Sequence, residues 1–140
     1  PEALLRSLCG GWEAVQGALF EVEGEGEARS LRMTAGYAYF HTEGEWPAFK
    51  WGEGLVGQVA RERRPLHLDR VPDNYLQVLS GLGQTRPRAL ALFPVCDGER
   101  VLGVVEVALF RALTTAQGAQ LPRIGEVLGA RLAPHEPVEA

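Results

Sequence analysis

The stretch ALALFPVCDGERVLGVVEVAL, residues 89–109, decides the fold. Two apolar runs, Ala89–Cys96 and Val101–Leu109, flank Asp97-Gly98-Glu99. An Asp-Gly pair between apolar runs signals a tight β-hairpin, because both residues tolerate the left-handed backbone such turns need. Neither run alternates with polar residues, and Glu106 is the one acidic side chain inside them. A strand that is apolar on both sides must be covered on both faces. Edge strands usually carry charge or proline as protection. The hairpin is therefore expected at the centre of an antiparallel sheet.

Working outward, Thr114 or Thr115 suits the cap of a helix that reaches Leu132. Leu121, Ile124, Leu128 and Leu132 form its apolar stripe, and Pro122 falls in the first turns, where proline is tolerated. On the other side, Arg86-Pro87 and Ser80-Gly81-Leu82-Gly83 read as loop. Tyr75, Leu76, Val78 and Leu79 read as a helical turn or two after the turn at Pro72-Asp73-Asn74. Leu66–Asp69 is a short strand after Pro65. Leu55–Arg63 is a short helix behind Gly52-Glu53-Gly54. Ala18–Glu23 and Ser30–Tyr39 alternate with the period of strands around a turn at Gly24–Glu27. Glu2–Leu8 closes a helix that Gly10-Gly11 stops, since glycine is entropically unfavourable inside one. Strands bracketed by helices imply an α+β fold around an antiparallel sheet of five or six strands.

Composition narrows the function. The chain has 140 residues, 46% hydrophobic and 23% charged, with a net charge of -4. That is one ordinary globular domain: residues 1–133, with 134–140 a linker or tail toward a downstream domain. Nucleic acid is not an expected partner, because phosphate binding needs clustered cations and Glu62 interrupts the one short arginine cluster. No signal peptide and no span of about 20 apolar residues appears, so direct membrane contact is not expected either. Cys9 and Cys96 make no disulfide framework and no metal-ligand spacing, which suits a reducing cytoplasm. A start at Pro1 without methionine and a Pro-rich end read as a piece cut from a longer polypeptide.

Three motifs carry a family resemblance. They are Leu8-Cys9-Gly10-Gly11-Trp12 running to Gly17-Ala18-Leu19-Phe20, then Gly52-Glu53-Gly54-Leu55-Val56-Gly57-Gln58-Val59-Ala60, then Phe93-Pro94-Val95 leading to Val101–Glu106. In this order they resemble the GAF domain family over nearly the whole chain. The resemblance implies a PAS-related sheet with the terminal helices on one face and short helices and loops on the other. Val71-Pro72-Asp73-Asn74-Tyr75, Ser80–Gly83 and Arg86-Pro87-Arg88 are similar to GAF domains of multidomain bacterial sensor histidine kinases. The implied role is non-catalytic: a sensory or regulatory domain in a two-component system. It binds a small molecule or relays a signal to a neighbouring domain, as a homodimer through its terminal helices. The alternatives are a ligand-free relay or dimerisation module and, behind it, an enzyme like the GAF-fold free methionine sulfoxide reductases.

The specialised branches of the family lack their marks here. Two separated cysteines supply no nucleophile and resolving pair. Neither has the Cys-His neighbourhood of bilin-binding relatives, and the Asn-Lys-x-x-Phe-Asp-Glu type of cyclic-nucleotide signature is absent. Gly52, Gly54 and Gly57 suit close packing better than a phosphate cradle, since no Lys-Ser/Thr follows them. Neither a cofactor, a catalytic residue nor a metal ligand is expected. The resemblance leaves a pocket between the sheet and the loops from Tyr39 to Arg88, with Trp51, Tyr75, Arg88, Phe93 and Glu106 as candidate ligand contacts. Each also has a structural reading: Trp51 and Phe93 as core, Tyr75 as a packing lid, Arg88 as a surface charge. Glu106, inside an apolar strand, needs a partner, and Arg32 or Arg88 is available.

Overall fold

The computed structural model describes residues 2–38, 48–70, 78–80, 83–85 and 88–132. In chain order its elements begin with helix α1 (Glu2–Gly11) and strands β1 (Ala14–Glu23), β2 (Ser30–Tyr37) and β3 (Ala48–Lys50). Helix α2 (Gly54–Glu62) and strands β4 (Leu66–Leu68), β5 (Val78–Ser80) and β6 (Gly83–Thr85) follow. Strands β7 (Ala89–Asp97) and β8 (Arg100–Leu109) and helices α3 (Thr115–Ala119) and α4 (Leu121–Leu132) complete them.

The β7–β8 hairpin turns at Gly98-Glu99, with Asp97 opposite Arg100 and Gly98 at φ +62°. It lies inside a six-stranded antiparallel sheet of order β3-β2-β1-β8-β7-β4. Both hairpin strands have neighbours on either side, as their lack of a polar face requires, although the midline falls between β1 and β8. β4 covers β7 only from Leu90 to Leu92. Pro65 stands just before β4, and Pro94 follows the covered stretch of β7. Proline brings no N–H to a ladder, so pairing ends where the two meet.

Alternation along the strands makes two cores. On one face Ala91, Phe93, Val105 and Val107 pack with Leu5 and Cys9 of α1 and Leu121, Ile124 and Leu128 of α4. On the other, Leu90, Leu92, Val104 and Ala108 pack with Val56, Val59 and Ala60 of α2. We call these the helix side and the loop side. α4 approaches β7 closely: a Cβ at Gly125 or Gly129 would run into the carbonyl oxygen of Pro94 or Cys96 respectively.

Several boundaries differ from the sequence expectation. β1 starts at Ala14, and β3 was not foreseen. The long C-terminal helix is two, broken at Gln120. Pro122 cannot donate to the preceding turn and its ring crowds the carbonyl four residues back. The first piece starts on a full capping box: Thr114 Oγ1 accepts the Gln117 N–H at 3.1 Å, and Gln117 Oε1 accepts the Thr114 N–H at 2.9 Å. Val78–Ser80, expected to be helical, instead pairs with Gly83–Thr85, with Ser80 opposite Gly83. One or two isolated helical turns nucleate poorly, and two residues between paired strands is the favoured hairpin spacing.

Candidate functional site

The glycine-marked turn before α2 is a packing device. Gly52 and Gly54 adopt φ +83° and +63°. A Cβ at Gly57 would lie 2.6 Å from the Lys50 carbonyl oxygen and 2.9 Å from the Gly52 backbone. The Gly52 N–H already donates to Gly57 O at 3.1 Å, and the Gly57 N–H to Glu53 O at 2.9 Å. Those amides hold the turn against the helix and are not gathered toward a phosphate.

Of the five candidate contacts, Phe93 lies on the opposite face of the sheet from Trp51 and Glu106. Trp51 is half-buried on the loop side, its N–H donating to Arg29 O at 3.1 Å. The Arg29 guanidinium carbon sits 3.7 Å from its ring centroid, and Arg29 Nε donates to Gly26 O at 2.7 Å. A guanidinium over an indole face is an attractive pair, so Trp51 clamps the β1–β2 turn to the start of α2. Phe93 is fully buried on the opposite, helix side, edge-on to Trp12 with centroids 6.2 Å apart. Trp51 and Phe93 are separated by the sheet and cannot line a common pocket, because β7 parity sends Phe93 with Ala91 and Val95. Arg88 is exposed just before β7, its N–H donating to Leu109 O at 2.8 Å. Tyr75 and most of the loops from Tyr39 to Arg88 lie outside the described residues.

Glu106 does face the loop side. It stands opposite Ala18 of β1 and Leu92 of β7, partly buried, between Val104 and Ala108 on that face. Arg32 is not its partner. It lies on an exposed stretch of β2 opposite Glu21 and pairs with Glu23 at 3.5 Å.

Sequence reasoning missed Gln16. It is the one buried polar side chain among the described residues, 8% exposed, and its Oε1 has no hydrogen-bond partner. Leaving a buried amide oxygen unpaired costs roughly 1–3 kcal/mol. The signal available in the sequence was a glutamine between Val15 and Gly17-Ala18-Leu19-Phe20, a polar residue at the head of an apolar strand.

The thiols are held apart. Cys9 is fully buried beside Gly17, and desolvation pushes its pKa up to about 12. Burial also raises Cys96 at the far end of β7, Arg63 opposes that shift and Glu126 adds to it. Gly17 aligns with Val107 and Cys96 with Val101, six residues along β8, about 20 Å at the rise of an antiparallel strand. Among the described residues no three His, Cys, Asp or Glu side chains gather as metal ligands would. None of the described helices is long and apolar enough to cross a membrane.

The architecture is that of a small α+β domain, with terminal helices on one face of a six-stranded antiparallel sheet and α2 on the other. A family model described as a GAF domain matches residues 2–130, and the chain belongs to the GAF domain family. No curated protein matches it. Among solved structures it is similar to the GAF domain of a phosphoenolpyruvate-protein phosphotransferase from Coxiella burnetii. There the TM-score is 0.73 at 18% identity, over 94% of this chain and 79% of that one. The nlh2 GAF domain of A. aeolicus in an inactive state gives 0.68 at 25%, over 92% and 80%. The free methionine-R-sulfoxide reductase of Neisseria meningitidis in complex with its substrate gives 0.70 at 13%, over 93% and 74%.

Proposed function

We propose that this chain is a non-catalytic sensory or regulatory domain of a bacterial signal-transduction protein, with a sensor histidine kinase as the parent class and the cytoplasm as its compartment. A small molecule binds on the loop side, and the change leaves through α1 and α4. The observation that carries this reading is the shared strand β8. Its Glu106 and Ala108 face the loop side, while Val105 and Val107 between them meet the core beneath α1 and α4. Close-packed interiors transmit strain, so a shift of β8 under a ligand moves both terminal helices.

The helices have surface left to use. Leu4, Leu5, Leu128 and Leu132 border an apolar seam between α1 and α4 over Leu19 and Val105, and Val127 on α4 is 46% exposed. A homodimer through these helices covers that surface. The test is sedimentation of the chain alone and with helical sequence added at both ends. Association that strengthens with the added sequence and weakens in Val127→Glu supports the reading, and a strict monomer in every form refutes it.

A ligand-free relay is the second reading. In its favour, Val56, Val59 and Ala60 of α2 fill the described part of the loop-side layer with side chains. The reductase reading loses support from the distance between Cys9 and Cys96.

A further inference from the structure

Between Ala14 and Gln16 the register of β1 against β8 slips by one residue: Ala14 stands opposite Leu109, Gln16 opposite Ala108, and Val15 is the extra residue. The slip is a β-bulge, a device concentrated where a strand must re-aim a side chain. Here it leaves Ala14 on the helix side and brings both Val15 and Gln16 to the loop side, while Gly17 turns to Cys9 and Leu5. The re-aimed side chain is the buried glutamine with the unpartnered Oε1. Among the described residues its strand neighbours on the loop side are aliphatic, with Ala108 opposite it on β8, Leu90 opposite Ala108 on β7, and Ala18 next along β1. Glu106, opposite Ala18, adds a carboxyl group to the same patch.

A leucine of similar size would finish this apolar surface with nothing left unpaired. A buried acceptor left unsatisfied on this face is what a binding site looks like before its ligand arrives, stability having been given up for recognition.

We propose that the Gln16 side-chain oxygen is the specificity-determining anchor for a small, mainly apolar molecule that donates an N–H or O–H hydrogen bond on the loop-side face beside Ala18 and Ala108. This rests on the reading that a ligand binds that face, and deepens it by naming the ligand's chemistry.

Two shape-matched pairs of probes separate the donor from the apolar body: indole against benzofuran, and pyrrole against furan. Each is titrated into the 140-residue chain, with the backbone amides of Ala18 and Ala108 followed by NMR. The expected result is that the N–H member of a pair binds at least about 10-fold more tightly, as a site built around an unpaired polar group demands. Gln16→Leu should bring each pair within about 2-fold, and Gln16→Glu, which keeps an acceptor, should retain the preference. Ligand-free Gln16→Leu should also unfold at a higher midpoint than wild type, because it removes an unpaired buried oxygen. A glutamine bonded within the fold would give a lower midpoint, and that result overturns the proposal. So does a donor preference that survives Gln16→Leu, or probes that bind this face without discrimination, which leaves the ligand face standing and removes Gln16 as its anchor. If no probe perturbs Ala18 or Ala108, the ligand face and the anchor fall together.

Discussion

Replacing a helical glycine by alanine ordinarily stabilises a protein, by about 0.5–1 kcal/mol, because the unfolded glycine has more freedom to lose. In α4 the sign should reverse. A Cβ at Gly125 points into the Pro94 carbonyl oxygen, and one at Gly129 into the carbonyl of Cys96, where the Cys96 nitrogen is also only 3.0 Å away. Both obstacles are backbone of a strand pinned by β8, so no side chain can rotate aside. Relief requires α4 to lift from β7. Lifting it uncovers part of Leu121, Ile124, Leu128 and Leu132, which this face buries or half-buries. A fully buried side chain of this size is worth about 1.5–3 kcal/mol. Losing about a third of that at four positions is roughly 2–4 kcal/mol, against about 1 kcal/mol gained in propensity. Gly125→Ala and Gly129→Ala are each expected to destabilise by roughly 1–3 kcal/mol, the range typical of overpacking. Gly118 in α3 has nothing within 4 Å of its Cβ position, so Gly118→Ala should stabilise by about 0.5–1 kcal/mol. Urea unfolding measures all three against wild type, with an unchanged slope assuring that the midpoints compare. Gly125→Ala and Gly129→Ala as stable as wild type, or more so, would refute the close approach of α4 to β7.

Alkaline pH gives a further test. The Cys9 pKa rises on folding from 9.0 to about 12, so its stabilisation is fully present below pH 9 and is lost as pH rises toward 12, at about 1.4 kcal/mol per unit. Wild type should therefore lose stability over that window relative to Cys9→Ala, and native Cys9 should resist thiol reagents that label Cys96; equal alkaline profiles would count against it. His67 Nε2 accepts the Leu113 N–H at 3.1 Å, so His67→Ala should destabilise by roughly 1–3 kcal/mol and speed Leu113 amide exchange. His67→Gln should recover part of both, and an unchanged Leu113 exchange rate in His67→Ala would disprove the bond. With methionine sulfoxide and a thiol reductant the chain should give no turnover; steady turnover lost in Cys96→Ala would make it a reductase.

Much of the candidate site was hidden from the sequence for a physical reason. Periodicity says that Phe93 and Glu106 belong to buried strands, but the side on which each lands depends on register and bulges between strands distant in the chain. Phe93 goes with Ala91 to the helices, and Glu106 with Ala108 to the loops. Trp51 resembles a pocket aromatic until Arg29, far from it in sequence, is found stacked on its ring. Gln16 is unremarkable in a list of residues, and becomes informative only when burial leaves its oxygen unpaired.

The sequence by itself determined the hairpin at residues 89–109 and its interior position, the two strands before it, the short helix after the glycine-marked turn and the apolar stripe of α4. These rest on local turn chemistry and on side-chain periods of two and 3.6, which any neighbouring residues disclose. Only the tertiary structure decided that β1 stands between β2 and β8, that a bulge at Val15 swings Gln16 to the loop side, and that Gly125 and Gly129 let α4 settle on β7. Each depends on which surfaces meet across long stretches of chain, and a one-residue slip in pairing exchanges the faces of a strand.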